Sequence, residues 1–294
     1  MKLFFTKQTI ITVTIVTVII VVVAFVIFLN YKSKQIEPIV TETNSPVFSQ
    51  TTIGKSVENR SIEAYTFGNG PTHIAFVGGI HGGYEWNSVL LAYKFLDYLK
   101  ANPSVIPEKL TVTIIPSANP DGVYKVIGKE GRFELTDIPT GTDESIGRFN
   151  ANNVDLNRNF NCKWQATSTW RAKIVSAGTE AFSEPEAKAI RDFVLQSKPK
   201  AVIFWHSQSN AVYASECESG ILFETSNIMN IFAKAAGYPA IDTFNSYPVT
   251  GDAEGWLASI NIPAITVELK THETIEWEKN LAGIKALFSY FANK

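Results

Sequence analysis

The chain has 294 residues, 45% hydrophobic and 18% charged, which suits one globular domain with a sizeable core plus an appendage. Its net charge of −2 hides an asymmetry: residues 1–34 carry four lysines and no acid, leaving 22 basic and 28 acidic side chains on the rest, a net −6. An acidic globular part excludes a nucleic-acid binder as the leading reading, and two cysteines, Cys162 and Cys217, are too few for a disulfide scaffold.

Residues 9–29 hold no charge and are rich in Ile, Val and Phe. At ~1.5 Å per residue a helix there spans ~31 Å, about one bilayer core. A cleavable signal peptide has a shorter apolar region, ~7–15 residues, ending in small residues, so an uncleaved single-pass anchor is expected. Residues 1–8 are then a short cytoplasmic N-terminus, and the globular part lies on the extracytoplasmic side of the cell membrane. Residues 30–57 lack sustained periodicity and read as a flexible linker, with the globular domain at 58–294. Outside the cytoplasm, Cys162 and Cys217 are expected to pair.

Beyond residue 60 the pattern alternates. Short apolar runs at 73–78, 110–116, 201–206 and 264–269 read as buried strands. Helical patterns fill 88–100, 184–196, 227–236 and 275–291, with Ser183 and Glu186 spaced as a capping box. Strand and helix in alternation predict an α/β sheet covered on both faces.

The segment Gly78-Gly79-Ile80-His81-Gly82-Gly83-Tyr84-Glu85 follows the first of these strands. Its glycines permit a sharp turn and close approach to a bound group. A helix starting near His81 puts His81 and Glu85 on one face, able to hold a divalent cation. Ligands in open α/β sheets sit beyond the carboxyl ends of strands. His81, His206 and Glu268 all fall at such ends, so two metal ligands and a carboxylate base can converge. Asn157 and Arg158 lie in Asn152-Asn153-Val154-Asp155-Leu156-Asn157-Arg158-Asn159-Phe160 and can clamp a carboxylate. The alternation of Val154, Leu156 and Phe160 also fits a polar edge strand.

These pieces resemble the zinc carboxypeptidases of the carboxypeptidase A and T type. The resemblance rests on His81 and Glu85, Asn119-Pro120-Asp121-Gly122, Val154 to Phe160, Phe182-Ser183-Glu184-Pro185-Glu186, His206-Ser207, the Tyr247, Gly251 and Trp256 spacing, and Thr266-Val267-Glu268-Leu269. They occur in family order over residues 60–294. The resemblance implies a mixed, largely eight-stranded sheet between helices, and one Zn2+ held by His81, Glu85 and His206. It also implies Asp155 as the carboxylate orienting His81, and Asn157 and Arg158 as the clamp on the substrate's terminal carboxylate. Arg148 matches the arginine that stabilises the oxyanion, although Arg132 is also available. Tyr247 matches the mobile phenol that closes over substrate, and Glu268 the general base. One departure stands out: the family usually has two residues between the first His and the Glu, and here there are three.

The activity so implied is hydrolysis of the C-terminal amide bond of a peptide with a free terminal carboxylate, by a monomer. Glu254 falls where relatives place the base of the side-chain pocket. With Asp252 it would favour a basic or diamino terminal residue, as in cell-wall peptides; the alternative is that Asp252 merely caps the turn holding Trp256. Two other readings are a zinc deacylase of N-acyl amino acids and an inactive module that binds peptide ends. His73 and His272 match no role and are read as packed or surface histidines.

Overall fold

The structure, a computed structural model, describes residues 7–34 and 48–294. They fall in two units. The first holds one helix, α1 (Lys7–Lys34). Residues 18–23 are all Val or Ile, so apolar side chains leave it in every direction, and Ile20 and Val21 are 62% exposed. A helix apolar all round is built for a non-aqueous surround; its stretch Thr14–Lys32 is long and apolar enough to cross a membrane.

The second unit is built on a mixed eight-stranded sheet. Its first strands are β1 (Phe48–Lys55), β2 (Ser61–Phe67), β3 (Thr72–Val77) and β4 (Leu110–Ile115), with α2 (Trp86–Ala101) between the last two and α3 (Pro120–Ile127) after them. A separate hairpin follows, β5 (Thr167–Trp170) and β6 (Lys173–Ser176), then α4 (Pro185–Ser197), β7 (Ala201–Ser207) and β8 (Ala211–Ala214). The short pair β9 (Glu216–Cys217) and β10 (Gly220–Ile221) leads to α5 (Phe223–Ala236), β11 (Ala240–Ile241), α6 (Ala253–Ser259), β12 (Ala264–Leu269) and α7 (Trp277–Ala292). The sheet order is β1-β2-β4-β3-β7-β12-β8-β11, and the central strands β4, β3, β7 and β12 run parallel.

Strand β7 shows why these runs read as continuously apolar. Ile203 and Trp205 join the core under α2, α5 and α7, while Val202 and Phe204 join the core under α4 and α6. Each such side chain stabilises the fold by roughly 1.5–3 kcal/mol relative to exposure. The indole N–H of Trp205, fully buried, donates to Asn280 Oδ1 at 3.1 Å, so no polar atom is stranded there. A disulfide joins Cys162 to Cys217, with Cα atoms 6.1 Å apart.

The linker expected at 30–57 is too long at both ends. Asn30 to Lys34 are the last turns of α1, and Phe48–Lys55 is an edge strand paired with β2 from Phe48↔Phe67 to Lys55↔Ser61. Residues 35–47 lie outside the described residues. Strand β1 escapes an apolar-pattern search because its Ser, Gln and Thr side chains face solvent, as edge strands require. The capping box expected at Ser183 and Glu186 does not form. The residue before α4 is Glu184, and Pro185 opens the helix, where its missing N–H costs nothing. Val154 to Phe160 is not an edge strand either: Val154 makes one isolated bridge to Ser176, and Leu156–Arg158 is a 3-10 turn.

Candidate active site

Strand β3 ends at Val77, and the chain turns through glycines into the 3-10 turn Gly82–Glu85 before α2 begins at Trp86. Gly82 has φ +50°, and a Cβ on it would lie 2.5 Å from the carbonyl oxygen of Gly147, a place only glycine fills without strain. The tight turn absorbs the third residue between His81 and Glu85, and Glu85 Oε1 still reaches 2.8 Å from His81 Nδ1. On the next two strands, His206 and Glu268 lie side by side in register on β7 and β12. By the period of two they share a face with Phe204 and Thr266.

His206 Nδ1 stands 3.1 Å from Glu85 Oε2 and 3.2 Å from His81 Nδ1. The far nitrogens of both rings face carboxylates: His81 Nε2 is 3.5 Å from Asp155 Oδ1, and His206 Nε2 is 3.1 Å from Glu254 Oε1. Both Nδ1 atoms lie beside Glu85 as well, so every ring nitrogen of the pair faces a carboxylate and the two Nδ1 atoms meet against a shared anion. Such a meeting beside a buried carboxylate demands a proton or a cation. One ligand atom from each of His81, Glu85 and His206 lies within 4.8 Å of the others. Two imidazole nitrogens and a carboxylate fit zinc, with a fourth position left open.

The charges follow from this packing. Burial disfavours a charged His206, but Glu85 and Glu254 on either side outweigh it and raise its pKa well above the ordinary value. Burial likewise opposes a charged Glu85, and His81 and His206 overcome it, holding the carboxyl far below its usual range. Glu268 goes the other way. Burial, with Glu85 and Glu254 nearby, pushes it up to about 8 against the pull of His206 and Arg148, and its buried Oε2 has no hydrogen-bond partner.

Two buried arginines sit beside this group. Arg148 donates from Nε to Asp155 Oδ2 at 2.9 Å, its Nη1 is 3.9 Å from Glu85 Oε1, and its guanidinium carbon lies 4.6 Å from the centre of the Trp170 ring. Arg132, the other arginine available in the sequence, pairs with Asp97 at the surface. Arg158 is 3% exposed and meets only carbonyl oxygens: Nε and Nη2 donate to Thr169 O at 3.2 and 3.0 Å, and Nη1 donates to Asn157 O. Among the described residues no carboxylate forms an ion pair with it. Asn157 Oδ1 accepts from the Ala253 N–H at 2.8 Å.

A cavity of about 290 Å³ opens over these groups, with His81, Arg148, Arg158, His206, Tyr247 and Glu268 among its walls. A larger one of about 680 Å³, by Thr72, Lys200 and Pro263 at the opposite end of the strands, contains none of them. Tyr247 is half-buried, its ring 4.9 Å from that of Phe244. Asp252 caps α6, accepting from the Gly255 N–H at 2.7 Å, and Glu254 turns inward to His206. His272 is partly buried, with Nδ1 2.7 Å from Ser207 Oγ; His73 sits in β3, with Nε2 2.8 Å from Thr113 Oγ1.

Two motifs prove to be supports. Asn119 caps α3 through Oδ1 and donates to the Arg148 carbonyl oxygen at 3.3 Å, while Asp121 binds Ser56 and Arg60 at 2.6 and 2.8 Å. Glu184 accepts from Asn150 and Asn152 at 2.7 and 2.8 Å, and its N–H donates to Asn159 Oδ1 at 3.0 Å. The first holds Arg148 and the β1–β2 turn, and the second holds the segment carrying Asp155, Asn157 and Arg158. Trp170 and Thr169, which touch the two arginines, carry no sequence signal: a lone Trp in a polar hairpin has no periodicity to read.

A mixed sheet with two imidazoles and a carboxylate gathered at its parallel-strand ends, beside two buried arginines, is the arrangement of a carboxypeptidase-type fold. The zinc carboxypeptidase family profile matches residues 39–282, and the chain belongs to that family. It is 28% identical over 249 residues to gamma-D-glutamyl-L-diamino acid endopeptidase 1 of Lysinibacillus sphaericus, covering 78% of this chain and 62% of that one. It is 31% identical to zinc carboxypeptidase A 1 of Anopheles gambiae over 53% of this chain and 36% of the relative. The chain therefore spans less than two thirds of the length of these relatives. Among solved structures, thrombin activatable fibrinolysis inhibitor superposes with a TM-score of 0.65 at 19% identity, covering 84% of this chain and 70% of that one. Murein-tripeptide amidase from Escherichia coli O157 gives 0.57 at 21%, covering 86% and 96%. At these identities the likeness establishes the fold.

Proposed function

We propose that the protein is a zinc-dependent carboxypeptidase, tethered by α1 to the outer side of a cell membrane, that removes the last residue of peptides. The observation that carries this reading is Arg158, a buried guanidinium facing only carbonyl oxygens at the edge of the cavity. Among the described residues no carboxylate pairs with it directly, Asp155 and Asp252 acting only through space, and a substrate's terminal carboxylate would complete it by a two-pronged contact. His81, Glu85 and His206 would hold one zinc ion, with Asp155 orienting His81. Zinc bound there supplies Lewis acidity at the scissile carbonyl and lowers the pKa of a bound water.

The chain's own groups do the rest. Asn157 and Arg158 grip the chain end and so place the last amide bond under Glu268. Glu268 takes the proton from the attacking water and returns it to the leaving amine. Arg148, held against Asp155 and Trp170, offers Nη1 to the developing oxyanion; one such donor is worth about 3–4 kcal/mol in comparable sites. Tyr247 closes over the bound end and excludes water.

The substrate class is read from the cavity wall and one relative. Asp252 and Glu216 line the cavity beside Lys163, a mixed set suited to a terminal residue with an ammonium group on its side chain. The bacterial relative is named for a diamino acid, so cell-wall peptides ending in a diamino acid are the class to test first. The decisive experiment incubates the full chain, in detergent with zinc, with peptides ending in Lys, Phe or a diamino acid. Mass spectrometry should find loss of one C-terminal residue from free acids and none from C-terminal amides. Equal cleavage of acid and amide would overturn the reading.

A further inference from the structure

We propose that Glu254 is a positioning residue for the metal centre: its carboxylate fixes the His206 ring with Nδ1 toward His81 and Glu85, and does not read the side chain of the substrate. The inference rests on the zinc-carboxypeptidase reading and gives a new role to a residue at the base of the cavity.

Three observations carry it. His206 Nε2 lies 3.1 Å from Glu254 Oε1, and Thr266 Oγ1 donates to the same oxygen at 3.0 Å. That oxygen is thus shared between β7 and β12. Glu254 is 4% exposed, so its carboxylate is packed among protein groups as those of Glu85 and Asp155 are. Its backbone is held from both sides: Asn157 Oδ1 accepts from Ala253 N–H at 2.8 Å, and Asp252 Oδ2 accepts from Gly255 N–H at 2.7 Å. The carboxylate is therefore set in place by the fold before any substrate arrives.

The physical consequence concerns the tautomer. An imidazole can present either nitrogen to a metal, and the hydrogen bond made by the other nitrogen decides which. Glu254 can only accept, so it holds N–H at Nε2, and with a cation beside Glu85 it leaves Nδ1 as the nitrogen free to ligate. Each histidine thus has its own carboxylate, Asp155 for His81 at 3.5 Å and Glu254 for His206 at 3.1 Å. Carboxylates behind ligating histidines typically change metal affinity about 10–100-fold when removed.

The test measures zinc affinity of the full chain in detergent by competition with a chromogenic chelator, for wild type, Glu254→Gln and Glu254→Ala. Glu254→Ala should bind zinc about 10–100-fold more weakly. Glu254→Gln, whose amide oxygen can still accept from Nε2, should recover much of that loss. At saturating zinc the kcat/KM ratio for Lys-ended over Phe-ended peptides should stay within about twofold of wild type in both variants, as expected when the lost group did not discriminate between side chains. If Glu254→Ala misfolds, the isosteric Gln variant still answers the specificity arm. Wild-type affinity in both variants, or a loss confined to Lys-ended substrates, overturns the proposal and leaves the zinc reading intact. A wild-type protein that binds no zinc removes both.

Discussion

Arg158 and Thr169 are joined by two hydrogen bonds, Nε and Nη2 of the guanidinium both donating to one carbonyl oxygen at 3.2 and 3.0 Å. That carbonyl belongs to the hairpin whose next residue, Trp170, lies over Arg148. One strand of four residues, β5, therefore touches both arginines. Thr169 Oγ1 also donates to Pro248 O at 2.5 Å, which ties the same strand to the loop carrying Tyr247.

Replacing Arg158 tests the chain-end clamp directly. Losing one partner of a buried charge pair costs about 2–5 kcal/mol. Arg158→Gln should therefore lower kcat/KM on free-acid peptides by about 30- to 5,000-fold, mostly through KM, while zinc affinity stays unchanged. Steady-state kinetics decide it; an unchanged KM would remove Arg158 from the substrate site.

Glu268 sits beside His206 with one carboxyl oxygen unpartnered. No hydrogen bond satisfies its Oε2, and its neighbours Glu85 and Glu254 help raise it to about 8. In the zinc-free protein it therefore holds a proton through neutral pH; a cation among His81, Glu85 and His206 would favour the ionised form, the one able to accept a proton from water. Glu268→Gln should bind zinc as wild type does, yet turn over about 10²–10⁴-fold more slowly. A variant with normal turnover would take the base assignment away.

Stability of the zinc-free protein should fall as pH rises. Glu268 is raised from 4.5 to about 8 in the fold, so between these values the native state holds a proton that the unfolded chain has lost. Its contribution is complete below about pH 4.5 and disappears through about pH 8, with a slope approaching 1.4 kcal/mol per pH unit. His206, also raised, acts in the same sense: its share is present below 6.5 and lost above. His73 and His272 are lowered by burial and oppose this only as pH falls below 6.5. Melting curves in chelator should show Tm dropping from about pH 6.5 to 8, with a shallower drop for Glu268→Gln. A rising wild-type Tm would contradict the pairing.

The central strands were legible because they are buried on both faces: the apolar runs at 73–78, 110–116, 201–206 and 264–269 fall within a residue or two of β3, β4, β7 and β12. Parallel neighbours share one carboxyl edge, which is why His81, His206 and Glu268 could be placed together from spacing alone. What could not be read was polar and long-range. Strand β1 hides behind exposed Ser, Gln and Thr. Ser183 matches a capping pattern, yet its hydroxyl donates to Glu184 Oε1 at 2.8 Å and accepts from Asn159 Nδ2 at 3.0 Å, contacts no local rule contains. Glu254 and His206, 48 residues apart, meet only because α6 packs across the ends of β7 and β12.

Gly251 offers a prediction on the frame of the site. Its φ is +72°, and a Cβ built on it would lie 2.1 Å from the carbonyl oxygen of Arg158. Backing away is blocked, because Gly251 N–H donates to Cys162 O at 2.7 Å and its carbonyl accepts from Phe160 N–H at 2.8 Å. Gly141, at φ +78°, has nothing within 4 Å of the same built atom, so it isolates the backbone term, about 1–2 kcal/mol for a residue with a side chain in the left-handed region. Gly251→Ala should therefore lower Tm clearly more than Gly141→Ala. It should also raise KM for free-acid peptides by displacing Arg158, an effect the control lacks. Equal melting shifts and equal KM in the two variants would mean that the contact with Arg158 O sets neither the fold nor the clamp.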